Sequence, residues 1–258
     1  GHYATSPSRS LSVSVINDDT ADLNLWSVSD IDESYEHKVK FLSFYNLEGG
    51  SFKYGMRLES EPLWPVRIEP KIALRNPENI LFPPILLVEP KYIVFGQSNW
   101  SVHQLLTYSS IPDYVDNDIC RFDITHNIIT DDNVLSTKVA AKELKVVVNA
   151  ADDDTAKLIV ESKQIILKEA GDLETIQITG LTSEPAFDVN ITIETSPSIQ
   201  ASSNPVIKRK EWNNFSQTIE LYALQGAPAG SAVIRLQPRS QDPKYNFSEA
   251  GISLDVVV

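Results

Sequence analysis

The residues best suited to chemistry are carboxylates in tight knots. Asn17-Asp18-Asp19-Thr20-Ala21 follows the alternating segment Ser10–Val15, and Asp152-Asp153-Asp154-Thr155-Ala156 follows Glu143–Val148. A third segment of that kind, Ile252–Val258, carries no acidic sequel within the chain. Clustered carboxylates repel one another unless a cation lies between them. Calcium, which takes about six to eight oxygen ligands, is the ion such knots suit.

Other chemistry finds little support. His2, His37, His103 and His126 lack metal-ligand spacing and read as surface or edge-strand histidines. The single Cys120 cannot form an internal disulfide and reads as a small buried hydrophobe. There is no Gly-x-Ser-x-Gly elbow, no phosphate-cradling glycine loop and no paired-cysteine zinc motif, so the chain is not expected to be an enzyme. A net charge of −13 argues against nucleic acid, whose phosphates need a basic surface. No apolar run approaches the roughly 18 residues that span a bilayer, so no membrane insertion is expected of this fragment.

The elements that must position the carboxylates are strands. Lys157–Val160, Gln164–Leu167, Thr175–Ile178, Val189–Ile193, Thr218–Leu221, Ala232–Leu236 and Ile252–Val258 alternate or run β-branched. Turn residues separate them at Ala170-Gly171-Asp172, Ser183-Glu184-Pro185, Gly226–Gly230 and Gln241-Asp242-Pro243. Short strands at that pace predict a β-sandwich.

The first half carries the same landmarks in the same order. Leu58-Glu59-Ser60-Glu61-Pro62 matches Leu181-Thr182-Ser183-Glu184-Pro185, and Leu47-Glu48-Gly49-Gly50 matches Lys168-Glu169-Ala170-Gly171. Asn99-Trp100 followed by Gln104 matches Glu211-Trp212 followed by Gln217. With Val66-Arg67-Ile68 matching Val189-Asn190-Ile191, the four ordered matches are an internal repeat. The first copy is longer, with insertions around Asp30–Lys40 and Asn76–Pro84. The first insertion is charged and reads as an exposed loop or short helix. The second holds Leu81-Phe82-Pro83-Pro84-Ile85-Leu86-Leu87 and reads as an extension of the core rather than a sticky loop.

The acidic Asp-Asp-Thr-Ala start, the Glu-Gly-Gly turn, the Leu-x-Ser-x-Pro strand, the Trp stretch and the closing Val-x-Val strand together resemble the Calx-beta repeat family. That resemblance covers both halves and implies tandem immunoglobulin-like β-sandwich domains of extracellular or adhesion proteins. It also implies a calcium site at one end of a sandwich. Carried over by position, the ligands are Glu48, then Asp113, Asp116 and Asp118, then Asp152, Asp153 and Asp154. The second copy keeps Glu169, but its matching loop, Leu224–Gly230, holds no carboxylate, so that copy is expected to be calcium-free.

The expected layout is therefore a lead-in over residues 1–19, one sandwich over 20–151 and a second over 152–258, cut from a longer array. The expected function is a non-catalytic structural or adhesive module at the cell surface or outside the cell, with calcium at the interdomain junction. Its partners would be other domains of the same array or another surface or matrix protein. The alternative is a glycan- or peptide-binding module using the first-copy insertions together with Trp26 and Trp64, which have no tryptophan counterpart in the second copy. Asn99, Asn190, Asn214 and Asn246 head Asn-X-Ser/Thr sequons and are candidate glycosylation sites. Trp100 and Trp212 hold equivalent positions and read as structural. Lys208-Arg209-Lys210 reads as a solvated basic run.

Overall fold

The computed structural model describes residues 20–28, 35–75, 80–140, 144–161, 165–167, 173–226, 230–246 and 251–257. The Ser10–Val15 segment, Asp18-Asp19, residues 29–34 and 76–79, Glu169 and the Ala170-Gly171-Asp172 turn lie outside them.

The first half runs β1 (Leu23–Val28), β2 (Tyr35–Val39), β3 (Phe41–Leu47), β4 (Ser51–Leu58), β5 (Val66–Leu74), β6 (Leu86–Glu89), β7 (Ile93–Phe95), β8 (Gln104–Ser110), β9 (Cys120–Ile129), α1 (Asn133–Ala140) and β10 (Lys145–Ala151). The second runs β11 (Leu158–Glu161), β12 (Ile165–Ile166), β13 (Leu173–Leu181), β14 (Val189–Glu194), β15 (Ile199–Ala201), β16 (Val206–Ile207), β17 (Gln217–Ala223), β18 (Ser231–Arg239) and β19 (Ile252–Val257). Each half is a pair of sheets. The orders are β2-β1-β4-β8-β6 with β3-β10-β9-β5-β7, and β11-β13-β17-β15 with β12-β19-β18-β14-β16. The two lists match strand for strand once β2 is set aside. Both even keep the parallel pair, β3 with β10 and β12 with β19.

Alternation explains the layering. In β4, Phe52, Tyr54, Met56 and Leu58 are buried, while Lys53 and Arg57 between them are less covered. These side chains meet Ile68, Phe122, Ile124, Val146 and Val148 from the facing sheet in one core. A separate core, with Ile178, Ile191, Ile219, Leu221, Ile234 and Val256, fills the second sandwich. The chain is all-β, immunoglobulin-like sandwich in both halves.

The repeat is visible in the hydrogen bonds. Leu58 N donates to Trp100 O at 3.1 Å, and Leu181 N donates to Trp212 O at 2.9 Å. Glu59 N donates to Asp22 O, as Thr182 N does to Lys157 O.

Three details differ from the sequence reading. Part of the charged insertion is a strand, not a loop or helix: Tyr35–Val39 pairs with β1 on the side away from β4, Leu25 opposite Val39, and Val39 packs on the core. The second insertion splits, with Ile80 and Leu86 against the core but Leu81 and Ile85 exposed. His126 is neither surface nor edge. It lies in β9, between β10 and β5, where its Nε2 is 2.7 Å from the buried Tyr54 hydroxyl.

Candidate metal centre

Three segments converge at one end of the first sandwich. The β3–β4 turn carries Glu48. Gly49 adopts φ +71°, the left-handed region that glycine tolerates, and Gly50 N closes the turn onto Leu47 O at 3.0 Å. Glu48 N donates to Ala151 O at 3.0 Å, which ties the turn to the end of β10. The β8–β9 loop brings Asp113, Asp116 and Asp118. The link from β10 to β11 brings Asp152, Asp153 and Asp154.

Among the described residues, Glu48, Asp153 and Asp154 each offer an oxygen within 4.8 Å of the other two. Calcium–oxygen distances of about 2.3–2.6 Å let one ion touch oxygens up to about 5 Å apart, so this spacing fits one ion. Glu48 is only 8% exposed, and Asp154 Oδ2 is buried with no hydrogen-bond partner. A buried carboxylate oxygen left without a donor is costly, and a cation removes that cost.

The other four carboxylates are engaged locally. Asp113 Oδ1 accepts from Val115 N at 2.8 Å, while its own N–H donates to Glu48 Oε2 at 3.3 Å. Asp152 accepts from Asn117 N at 2.5 Å and from Asp154 N at 2.6 Å, so it braces both loops. Asp116 Oδ2 accepts from Ala156 N at 2.6 Å. Lys244, from the second sandwich, places Nζ 2.8 Å from Asp116 Oδ1 and 3.1 Å from Asp118 Oδ1. Lys244 carries no signal in sequence, because its partners Asp116 and Asp118 are remote in the chain.

Burial raises three of these carboxylates, Glu48, Asp152 and Asp154. Burial pushes Glu48 up to about 7, opposed by the Asp113 N–H and reinforced by the charges of Asp113, Asp152 and Asp154. Burial, with the Asp152 and Asp153 charges, pushes Asp154 up to about 6. Asp152 is raised by burial despite two backbone donors. Burial pulls Lys244 down, but hydrogen bonds to Asp116 and Asp118 outweigh it and hold the ammonium above its ordinary value. The neighbouring Cys120 is fully buried, and burial raises its thiol to about 11, as an inert hydrophobe requires.

The same end meets the second sandwich. Glu184 N donates to Tyr114 O at 2.5 Å, and the Tyr114 and Trp212 rings lie 5.9 Å apart. Arg209 pairs with Glu184 at 2.9 Å and sits 4.5 Å over the Phe82 ring. Arg209, read from sequence as part of a solvated run, is thus a junction residue, and Lys208 pairs with Asp188 at 2.8 Å. Phe82, from the second insertion, lies under that guanidinium instead of in the core.

The remaining candidates lie elsewhere. Arg57 stacks 5.0 Å over Trp26 and His103 packs edge-on at 4.7 Å, so much of that ring is already covered. Trp64 is open to solvent. Asn190, Asn214 and Asn246 are exposed, with Val189 and Ile191 buried on either side of Asn190. The Asn99 amide is occupied by a turn, accepting from Gly96 N at 2.6 Å and donating to Val94 O at 3.0 Å.

No family model matches the chain. No curated protein matches it either. Among solved structures it is similar to CBD12 from CALX1.2, at 16% identity and TM-score 0.31, covering 80% of this chain and 82% of that one. The calcium binding domain CBD12 of CALX1.1 is 15% identical at TM-score 0.31, covering 76% and 78%. The Pseudomonas aeruginosa CupB2 chaperone is 9% identical at TM-score 0.27, covering 84% and 97%. No described helix is long and apolar enough to cross a membrane.

Proposed function

We propose that this chain is a non-catalytic, Calx-beta-like structural and adhesive module of the cell surface or extracellular space, stiffened at its waist by one calcium ion. The observation that carries the reading is buried Glu48 facing Asp153 and Asp154 within 4.8 Å, with a buried Asp154 oxygen that nothing else satisfies. Glu48, Asp153 and Asp154 hold the ion; water and neighbouring loop oxygens complete its shell. Asp153 and Asp154 belong to the link between β10 and β11, so an ion there fixes the linker to the β3–β4 turn. Its partners are other protein domains, joined in an array or met across a surface.

Thermal unfolding in EDTA and in millimolar calcium tests this. If the ion binds with a dissociation constant near 10 µM, about 1 mM calcium adds about 2.7 kcal/mol, a rise on the order of 5–10 °C in the transition of the first sandwich. Identical melting in both conditions refutes the calcium role.

A further inference from the structure

We propose that two copies of this chain pair edge to edge through β3, an antiparallel two-fold contact that joins two first sandwiches into one continuous sheet. The contact gives the adhesive module a partner, a second copy of itself. It holds whether or not the ion binds, because it uses residues 41–45 and leaves Glu48 in place.

β3 ends its sheet, with β10 on one side only. At the two ends of that parallel ladder, Lys145 N donates to Lys40 O at 3.4 Å and Glu48 N donates to Ala151 O at 3.0 Å. The register between them is unbroken, from Phe41 opposite Lys145 to Leu47 opposite Ala151. Successive residues of a strand turn their backbone groups to opposite sides, so Leu42, Phe44 and Asn46 serve β10. Phe41, Ser43 and Tyr45 point their N–H and C=O groups away from it, where no described strand receives them. An open row of donors and acceptors recruits another strand unless it is short, charged or broken by proline. Among the described residues the other edge strands are all of that kind. They have two to five residues; β2 carries Glu36, His37 and Lys38, and β6 runs into Pro90. β3 has 7 residues and no charge, proline or glycine. Its Phe41 and Tyr45 side chains are 55% and 65% exposed, while Leu42 and Phe44 pack inward on the core.

Charge and register both select a second β3 as the occupant. With a net charge of −13, two copies repel unless they meet where no carboxylates are opposed, and β3 is such a row. A two-fold axis through Ser43 sets Ser43 against Ser43 of the second copy and Phe41 against its Tyr45. Each outward N–H of these three residues then meets an outward C=O. Phe41 and Tyr45 form an aromatic cross-strand pair at both ends, and Lys40 falls opposite Asn46. An axis through Phe44 would instead call on Leu47 O, which already accepts from Gly50 N at 3.0 Å. The contact is isologous and closes at the dimer. One strand edge buries less than the roughly 1,200 Å² of a standard interface, so the dimer belongs to high micromolar concentrations, as when copies are crowded on a surface.

Sedimentation velocity of the full chain in EDTA, loaded from about 10 µM to about 1 mM, tests this apart from the calcium role. The expected result is a monomer–dimer equilibrium that stops at the dimer. Ser43→Pro should weaken it at least about 10-fold, because it deletes an outward donor at the axis and puts a ring in its place, while the bonds to β10 come from the alternate residues. A charge swap removes any doubt over folding, since Phe41 and Tyr45 are exposed and circular dichroism verifies the fold. Phe41→Lys with Tyr45→Lys opposes like charges across the axis, as does Phe41→Glu with Tyr45→Glu. Each double variant should be monomeric alone, and a mixture of the two should dimerise. A monomer at every concentration of wild type overturns the proposal. So do species that grow beyond the dimer, association indifferent to Ser43→Pro, or a mixture of the charge variants that stays monomeric.

Discussion

Acidification should destabilise the first sandwich through one residue, His126. Its Nδ1 lies 3.3 Å from Leu144 O, which only accepts, so Nδ1 carries the hydrogen. Nε2 then accepts from the Tyr54 hydroxyl at 2.7 Å, and the Tyr54 oxygen accepts from Tyr108 at 2.9 Å. Protonating Nε2 would reverse every bond in that chain inside the core. Burial pulls His126 from 6.5 to about 4, against the opposing pull of the Leu144 carbonyl. The unfolded chain therefore binds the extra proton first, and stability falls as pH drops from about 6.5 to about 4. At about 1.4 kcal/mol per unit, this costs at most about 3 kcal/mol. Glu48 and Asp154 are shifted the other way and gain stability over an overlapping window, so the wild-type curve alone does not isolate the effect. The difference between wild type and His126→Gln does. Urea unfolding near pH 7.5 and near pH 4 should show the wild-type advantage shrinking by up to about 3 kcal/mol. An advantage that is constant with pH, or a His126 ring that titrates near 6.5 by NMR, refutes the argument.

Glu48→Gln should abolish the calcium-induced rise in melting and make the metal-free protein more stable than wild type above pH 7. The folded carboxyl, raised from 4.5 to about 7, contributes its stability below pH 4.5 and loses it as pH rises through 7, a swing of up to about 3 kcal/mol; equal pH dependence in both proteins, by urea unfolding, counts against this. Gly180→Ala should destabilise the second sandwich by on the order of 2–4 kcal/mol, because Gly180 has φ +140° and a Cβ there would meet Trp212 O at 2.5 Å. A melting temperature within a degree of wild type would contradict it.

The strands were legible because alternation writes burial directly into sequence. Val189–Ile193 and Ala232–Leu236 were readable as strands, and the structure extends them to Glu194 and to Ser231–Arg239. The 3-residue Ile199–Ala201 and 2-residue Val206–Ile207 were not legible, since two or three residues carry no period. Helix α1 was hidden by its composition, Asn-Val-Leu-Ser-Thr-Lys-Val-Ala, and is set by the Asp132 cap more than by propensity. The burial of His126 is hidden for a different reason. Its strand shows no sign of edge or centre, and its partner Tyr54 is 72 residues away.

The candidate site shows the same limit at finer grain. Seven carboxylates were equivalent in sequence, and what separates them is the counter-charge each one finds. Asp116 and Asp118 take theirs from Lys244, a residue of the other sandwich. Asp152 is satisfied by backbone donors on both sides, and Asp113 caps its own turn. Glu48, Asp153 and Asp154 are left facing one another within 4.8 Å, with burial raising Glu48 and Asp154 instead of a cation lowering them. One end of one sandwich thus uses a lysine clamp for two of its seven carboxylates and leaves three facing one another, where the proposed ion would sit. The clamp acts on the link between β10 and β11 through Asp116 and Ala156 N, and the proposed ion would act on the same link through Asp153 and Asp154. Removing calcium should therefore loosen the junction without opening it, because Lys244, Arg209 and Tyr114 still bridge the sandwiches.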